Sequence, residues 1–265
     1  MNASAFSEPF TPRGVAAFAG ASIRYLLVVQ LIFASLAAVA VAYFFHAACA
    51  PAIQAAIDSL PANGQVQFGQ LSWTGGAQML SDGRFLAFDV DPGHSGQLLS
   101  TTADFQIEFG RSSIRIISLL GYADFRYPAR EMPMNQPQLD PLWKAWRAEI
   151  LFFIALATLI ILPVTWWILA VIYFLPAWLI GFLTNRDLTL RASLKLSCAA
   201  LLPGALVMIA AIVLYGLGFM NLVSFGFVFA AHFVLQWLYL LFGLLFFPRA
   251  SAAAPKGNPF KTAKQ

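Results

Sequence analysis

Two polar side chains lie within an apolar stretch near the end of the chain, and they are the first candidates for chemistry. His232 and Gln236 are four positions apart, so a helix places them on one face. A histidine inside a bilayer is costly and often carries a proton or contacts a substrate. The alternative is a neutral His232 that hydrogen-bonds another helix, with Gln30, Thr158 or Thr165 as its partner. We favour this structural role, because a single histidine without an acid in the apolar stretches makes a poor proton relay.

Two prolines interrupt other apolar stretches, at Pro163 and Pro203. Proline removes a backbone donor and frees a carbonyl one turn earlier in a helix. Helices broken in this way can line the substrate site of a transporter. Proline is also common in ordinary membrane helices, where it produces a kink. The sequence therefore predicts helix kinks at both prolines, with a transporter site as the alternative.

A possible metal site begins with Asp89 and Asp91, which share one face of a predicted strand and have His94 nearby. Calcium requires about six to eight oxygen ligands, and these residues lack the spacing of a known calcium loop. Aspartate followed by proline and glycine is also ordinary turn chemistry. We interpret the segment as a structural turn and predict no metal.

Covalent and cofactor chemistry has little support in the sequence. Cys49 and Cys198 are predicted at different depths of a membrane, so a disulfide between them is excluded. The chain contains no His-Glu-x-x-His, Gly-x-Ser-x-Gly, Walker or Cys-x-x-Cys motif. We therefore predict no catalytic residue and no cofactor, and we expect that the protein is not an enzyme.

The composition indicates a membrane protein. Of 265 residues, 60% are hydrophobic and 11% are charged, whereas an ordinary soluble domain has about 25% charged residues. The mean hydropathy of +0.73 excludes a disordered or nucleic-acid-binding chain. A helix that crosses the hydrocarbon core needs about 20 apolar residues. Four predicted transmembrane helices meet this requirement, at residues 25–50, 150–174, 194–219 and 222–247.

The second apolar stretch continues beyond one span. Residues 150–183 carry no formal charge and would form a helix of about 51 Å, which is too long for a single crossing. Pro176 offers a break, so residues 175–193 are predicted as a short re-entrant or interfacial segment followed by a basic cytoplasmic loop.

Four spans place both termini on one side of the membrane, and the positive-inside rule identifies that side as the cytoplasm. The N-terminal segment 1–24, the loop before the third span and the tail 248–265 together contain nine of the sixteen Lys and Arg residues. These nine are Arg13, Arg24, Arg186, Arg191, Lys195, Arg249, Lys256, Lys261 and Lys264.

Residues 51–149 are predicted to form a small β-rich (α+β) extracytoplasmic domain. An alternation of period two, punctuated by turn residues, predicts an antiparallel sheet of about four strands. One strand is expected to have a bulge at Gly69-Gln70. In another, inward Phe105, Ile107 and Phe109 alternate with outward Asp104, Gln106 and Glu108.

Helical signals flank this domain. Pro51 to Leu60 is predicted as a short helix that continues from the first span. Asp140 is expected to cap a second helix that has Pro141 at its first position. Trp143 and Trp146 follow, and their amphipathic rings predict interfacial anchors at the membrane surface.

A family resemblance rests on two local patterns. Residues 190–196, Leu-Arg-Ala-Ser-Leu-Lys-Leu, are followed by Ala-Ala-Leu-Leu-Pro at 199–203. The outer segment has Ile-Ser-Leu-Leu-Gly at 117–121 and Tyr127-Pro128. Together with one anchor, an outer domain and a membrane module, these patterns resemble the DUF1189-type bacterial membrane proteins, which have a Yip1-like membrane module. The resemblance implies a non-catalytic protein of a bacterial cytoplasmic (inner) membrane, without functional residues to carry over.

The function that we expect is that of a non-enzymatic membrane accessory or scaffold protein. Its extracytoplasmic domain would face a protein or envelope partner, and the lipid bilayer would surround its helices. Whether the chain forms a homo-oligomer stays open. The alternative is a small transporter or channel that uses Pro163, Pro203 and His232, and an intramembrane enzyme is the third hypothesis.

Overall fold

The computed structural model describes residues 10–249. These residues form two compact units. The first unit contains the described residues up to Ala37, Ala157–Ala211 and the described residues from Val223 onward; the second contains Ala38–Leu156 and Ile212–Leu222. The helices are α1 (Pro12–Ala17), α2 (Ile23–Phe44), α3 (Ala50–Asp58), α4 (Gln136–Leu183), α5 (Leu190–Gly216) and α6 (Leu222–Leu245), and a π-helical turn, Phe45–Cys49, joins α2 to α3.

The predicted class of fold is confirmed at the level of four long apolar helices and a small β-sheet region. The helical stretches Ile23–Asp58, Gln136–Leu183, Leu190–Gly216 and Leu222–Leu245 are long and apolar enough to cross a membrane. The short helix predicted at the end of the first span is also confirmed, as α3.

Helix α4 corrects two predictions. It continues for 48 residues without ending at Pro176, so residues 175–183 belong to this helix and do not form a separate segment. Buried Ala170 and Ala177 hold this part of α4 in the core of the first unit, which offsets the hydrogen bond lost at the proline. The helix begins at Gln136, where the Asn135 side chain accepts from the Gln138 N–H at 3.1 Å. Asp140 therefore lies inside α4 and is not its cap.

The core of the first unit contains small side chains beside large apolar ones. Ala34 of α2, Ala170 of α4 and Ala199 of α5 are fully buried, and small residues allow helix backbones to approach closely. The Ser193 hydroxyl of α5 donates to the Phe174 carbonyl of α4 at 2.6 Å. Helix α5 begins at Leu190, so the end of the predicted basic loop is helical.

The second unit contains eight strands in two sheets, where about four strands were expected. The strands are β1 (Gln65–Gln67), β2 (Gln70–Ser72), β3 (Gln78–Asp82), β4 (Leu86–Val90), β5 (Phe105–Phe109), β6 (Ser113–Ser118), β7 (Gly121–Arg126) and β8 (Met132–Pro133). The sheet orders are β2-β1-β8 and β3-β4-β5-β6-β7. Strands β4 and β5 are parallel, which corrects the prediction of a wholly antiparallel sheet.

The bulge expected at Gly69-Gln70 is instead a two-residue hairpin turn. Phe68 and Gly69 have φ angles of 49° and 73°, and such positive values match the twist of two flanking antiparallel strands. Strands β1 and β2 pair on either side of this turn.

One face of the five-stranded sheet is apolar and packs against α3. Phe88 and Val90 of β4 share a core cluster with Ala52 and Ala56 of α3. The opposite face is polar and lies beneath the segment 91–104, and it contains the second of the two sites described below.

Candidate functional site

In the first unit, the predicted pair His232 and Gln236 faces helix α5 at Gly204. A Cβ atom added to Gly204 would lie 3.0 Å from Gln236 Cγ and 3.2 Å from the His232 carbonyl oxygen. Helices α5 and α6 therefore cross in close contact at Gly204, where the backbone of one helix meets the backbone of the other. Both polar side chains are buried, so they lie between packed helices.

The hydrogen bonds in this unit differ from the expected ones. His232 Nδ1 pairs with the Phe229 carbonyl of its own helix. The Gln30 side-chain oxygen Oε1 instead accepts from Trp167 Nε1 at 3.1 Å. Thr165 donates to the Ile161 carbonyl, also within its own helix, at 2.8 Å. The structure therefore supports a structural role for His232 but corrects its expected partner.

The two prolines that were predicted to kink or break helices lie inside continuous helical segments. Pro163 is within α4 and Pro203 is within α5. Pro203 directly precedes Gly204, so the residue that lacks a backbone N–H is adjacent to the residue that packs on Gln236.

The second unit contains a buried polar network on the polar face of the five-stranded sheet. Cross-strand pairing aligns Asp89, Glu108, Arg115 and Asp124 on four consecutive strands, β4 to β7. The Arg115 guanidinium binds Asp124 through two nitrogens, at 2.8 and 3.2 Å. A further Arg115 nitrogen lies 3.9 Å from the Glu108 carboxylate. The charges of Glu108, Arg115 and Asp124, on three neighbouring strands, are therefore negative, positive and negative in turn.

Gln106 and Glu108 were expected to face solvent, and this prediction is wrong. They are 4% and 2% exposed because the segment 91–104 covers this face. The Gln106 side chain forms two hydrogen bonds to this covering segment. It donates to the Leu98 carbonyl at 3.0 Å and accepts from the Ser100 N–H at 2.8 Å.

Asp91 organises the start of the covering segment. Its carboxylate accepts from the Gly93, Ser95 and Gly96 N–H groups and from the Ser95 hydroxyl, at 2.5 to 3.2 Å. Burial acts to raise the pKa of Asp91, but these hydrogen bonds lower it below its ordinary value. The interpretation of Asp91 as a turn residue is confirmed. In the described range 10–249, no group of three or more His, Cys, Asp or Glu side chains has a metal-binding arrangement.

His94 bridges the covering segment and the sheet. Its Nδ1 pairs with Glu108 Oε1, and its Nε2 lies 3.0 Å from the Ser113 hydroxyl. Serine, histidine and acid stand in the order of a hydrolase triad. However, Gly110 packs closely against the imidazole. A Cβ atom added to this glycine would lie only 2.1 Å from His94 Nε2. Backbone thus packs against the Nε2 side of the imidazole, and we interpret the three residues as a structural network.

Asp89 is the unusual member of the network. It is fully buried and accepts from Gln106 Nε2 at 2.8 Å through one oxygen. Its other oxygen has no partner among the described residues. Burial, followed by the charges of Glu108 and Asp91, raises its pKa from 3.8 to about 6.

We expect Asp89→Asn to stabilise the second unit at pH 8 by about 1–2 kcal/mol, since it removes a buried charge and keeps the acceptor for Gln106. The folded-state pKa of about 6 lies above the ordinary 3.8. Wild-type stability therefore falls as pH rises through this window and stays low above it. The gain in stability from Asp89→Asn should shrink at pH 5, and thermal unfolding in detergent at both pH values measures it.

Asp124→Asn is the matched control. The hydrogen bond from Arg115 lowers the pKa of Asp124, so the change in stability from this substitution should have the opposite sign. A gain that is equal at both pH values would contradict the prediction.

The two tryptophans predicted as interfacial anchors have different environments. Trp143 is buried against Ala50 and Ile57. Trp146 is 54% exposed and lines an apolar groove of about 520 Å³. The groove is lined by Ile57, Leu139, Leu142, Trp143, Trp146 and Ile150.

These elements define a chain of four long apolar helices with a small α+β unit that contains a buried polar network. No family model matches the chain, and neither a search of curated proteins nor a search of solved structures finds a similar protein.

Proposed function

We propose that the chain is a multi-pass accessory or scaffold protein of a bacterial cytoplasmic membrane, with both termini in the cytoplasm and the β-rich domain outside. Four apolar helices and the distribution of basic residues support this placement. In the first unit, the Arg186 guanidinium donates to the Leu245 and Phe247 carbonyls at 3.0 and 2.7 Å. In the second unit, Arg84 donates to the Gly218 and Met220 carbonyls at 3.0 and 3.1 Å. Each of these contacts joins two points of the chain that two long apolar helices separate, which supports the proposal that each pair of points lies on one side of the membrane.

The observation that carries a binding role is the open edge of the five-stranded sheet. All six residues of β7 are exposed, and β7 is the terminal strand of the sheet order. At the opposite edge, α3 packs near β3: a Cβ added to Gly83 would lie 3.4 Å from Ala52 Cβ. An open strand presents unpaired backbone donors and acceptors that a partner strand can use.

Strand β7 has features suited to an extended segment of a partner protein. Tyr122 and Phe125 are 67% and 54% exposed and lie on opposite faces of the strand, so each face offers an aromatic contact. Arg115 lies over the Tyr122 ring at 4.5 Å and orients it. Backbone pairing would supply affinity, and these two side chains would supply specificity.

We expect a photo-crosslinking amino acid at position 125 to form a discrete adduct with a partner protein in native membranes of the source bacterium. The full chain is used, and adducts are identified by mass spectrometry. Leu99, 56% exposed in the covering segment, is the matched control and should give no such adduct. Equal labelling from both positions, or an adduct with a second copy of the chain, would contradict a protein partner at β7.

The transporter alternative requires an unwound helix and open space at His232. In the described residues, the helices that contain Pro163 and Pro203 are continuous, and Gly204 packs directly on Gln236. These contacts describe a close helix crossing, so we do not propose transport.

A further inference from the structure

One end of the five-stranded sheet faces helices of the second unit. Strands β4 and β5 begin at this end, β6 finishes there and β7 starts there, because Phe105 pairs with Ser118 and Ser118 pairs with Gly121. We call it the helix-facing end. Arg84, two residues before β4, bonds the carbonyls of Gly218 and Met220 in the α5–α6 turn.

Aromatic contacts add to the Arg84 hydrogen bonds, and together they form a junction between the helix-facing end and the helices. The Phe85 ring lies 5.2 Å from the Phe44 ring of α2 and 4.9 Å from the Tyr215 ring of α5. The Tyr215 hydroxyl donates to the Asp104 carboxylate, immediately before β5. The helix-facing end is thus held against the point at which two apolar helices end.

The β6–β7 hairpin tip, Leu119-Leu120, lies at the same end. The two leucines are 68% and 97% exposed. Two strand spacings separate β6 from β4, so the tip is about 10 Å from the junction along the sheet. Turns of this kind usually carry Gly, Asn, Asp or Ser, and two leucines with this exposure bury little apolar surface within the second unit.

The α5–α6 turn, which Arg84 binds, also exposes large apolar side chains. Leu217 and Phe219 of that turn are 54% and 81% exposed, as expected for side chains in contact with lipid. No charged residue occurs between Ser118 and Tyr122. Tyr122 follows the leucines, and tyrosine is favoured at the interface between membrane and water.

We propose that the Leu119-Leu120 tip inserts into the lipid surface beside the helices, as an additional membrane contact of the domain. This inference rests on the membrane placement proposed above. Its partner is the acyl and headgroup boundary of the bilayer, because the tip is aliphatic, uncharged and level with the apolar helix ends. The contact would fix the orientation of the domain, and so of β7, on the membrane.

The test uses a nitroxide spin label in the full-length chain, reconstituted into phosphatidylcholine vesicles. Only Cys49 and Cys198 need to be replaced by alanine, since the chain has two cysteines. The label is placed by Leu120→Cys, by Phe68→Cys and by Val234→Cys. Phe68 is 87% exposed in the β1–β2 turn at the other end of the domain, and Val234 is 61% exposed in the middle of α6.

Collisions with oxygen report lipid, and collisions with a water-soluble nickel chelate report solvent. At positions 120 and 234 we expect the oxygen collision rate to exceed the nickel rate several-fold, and at position 68 we expect the reverse. A lipid signal at 234 with a water signal at 120 would overturn the inference alone. A water signal at 234 would overturn the membrane placement as well. Spin–spin broadening at 120 would show that a second copy covers the tip, which also overturns the inference.

A second measurement needs no substitution, so it applies even where the cysteine-free chain does not fold. Amide hydrogen exchange of the wild-type chain is compared between lipid nanodiscs and detergent. We expect residues 118–122 to exchange several-fold more slowly in nanodiscs, while residues 67–70 exchange equally in both. Equal exchange at 118–122 would contradict lipid contact.

Discussion

Gly110→Ala is expected to lower the free energy of unfolding of the second unit by about 3 kcal/mol. The added Cβ would lie 2.1 Å from His94 Nε2, so the imidazole must leave its position between Ser113 and Glu108. Glu108 is 2% exposed, and its carboxylate would then lose its hydrogen-bonded partner in a buried environment. A loss of this size corresponds to a fall of roughly 10 °C in the melting temperature, which circular dichroism of the detergent-solubilised chain measures.

Two controls separate the clash from a general effect of alanine. Gly76 has nothing within 4 Å of its added Cβ, so Gly76→Ala should leave the melting temperature nearly unchanged. In a His94→Ala background, Gly110→Ala should cost little further, because the atom that it displaces is already gone. Additive losses in the double variant would show that Gly110 acts through the backbone alone and would contradict the proposed network.

Gly204→Val is expected to destabilise the first unit by about 2–3 kcal/mol. The Cβ would lie 3.0 Å from two atoms of the Gln236 side chain and 3.2 Å from the His232 carbonyl oxygen. A flexible glutamine can rotate away, but a backbone carbonyl cannot, so helices α5 and α6 must separate. The midpoint of thermal aggregation in detergent, followed by size-exclusion chromatography, measures the effect.

Gly226→Val provides the matched control for this crossing. Gly226 lies in α6 and its added Cβ meets nothing within 4 Å, so the same change of residue should leave the midpoint almost unaltered. An equal loss from both variants would mean that glycine matters for helix conformation and not for the α5–α6 contact. Full stability of Gly204→Val would contradict the close crossing itself.

The candidate sites were only partly predictable. The pairing of His232 and Gln236 on one helix face follows from their spacing, but the glycine opposite them belongs to another helix. In the second unit, Asp91 was recognisable because its hydrogen bonds run to residues two to five positions later. His94, Glu108 and Ser113 are separated by 14 and 5 positions along the chain, and only the sheet register and the covering segment bring them together.

By itself, the sequence determined the apolar helices, the short helix α3 and the alternation of the strands. These depend on runs of side chains within one element, where hydrophobicity and period are sufficient evidence. Tertiary structure alone decided that α4 passes through Pro176, that β4 and β5 are parallel, and that Gln106 and Glu108 face inward. A period of two shows that alternate residues share a face, but a distant segment of chain determines whether that face is covered. Neighbours in space, not in sequence, supplied the packing that holds a proline in a helix and a charge in a buried layer.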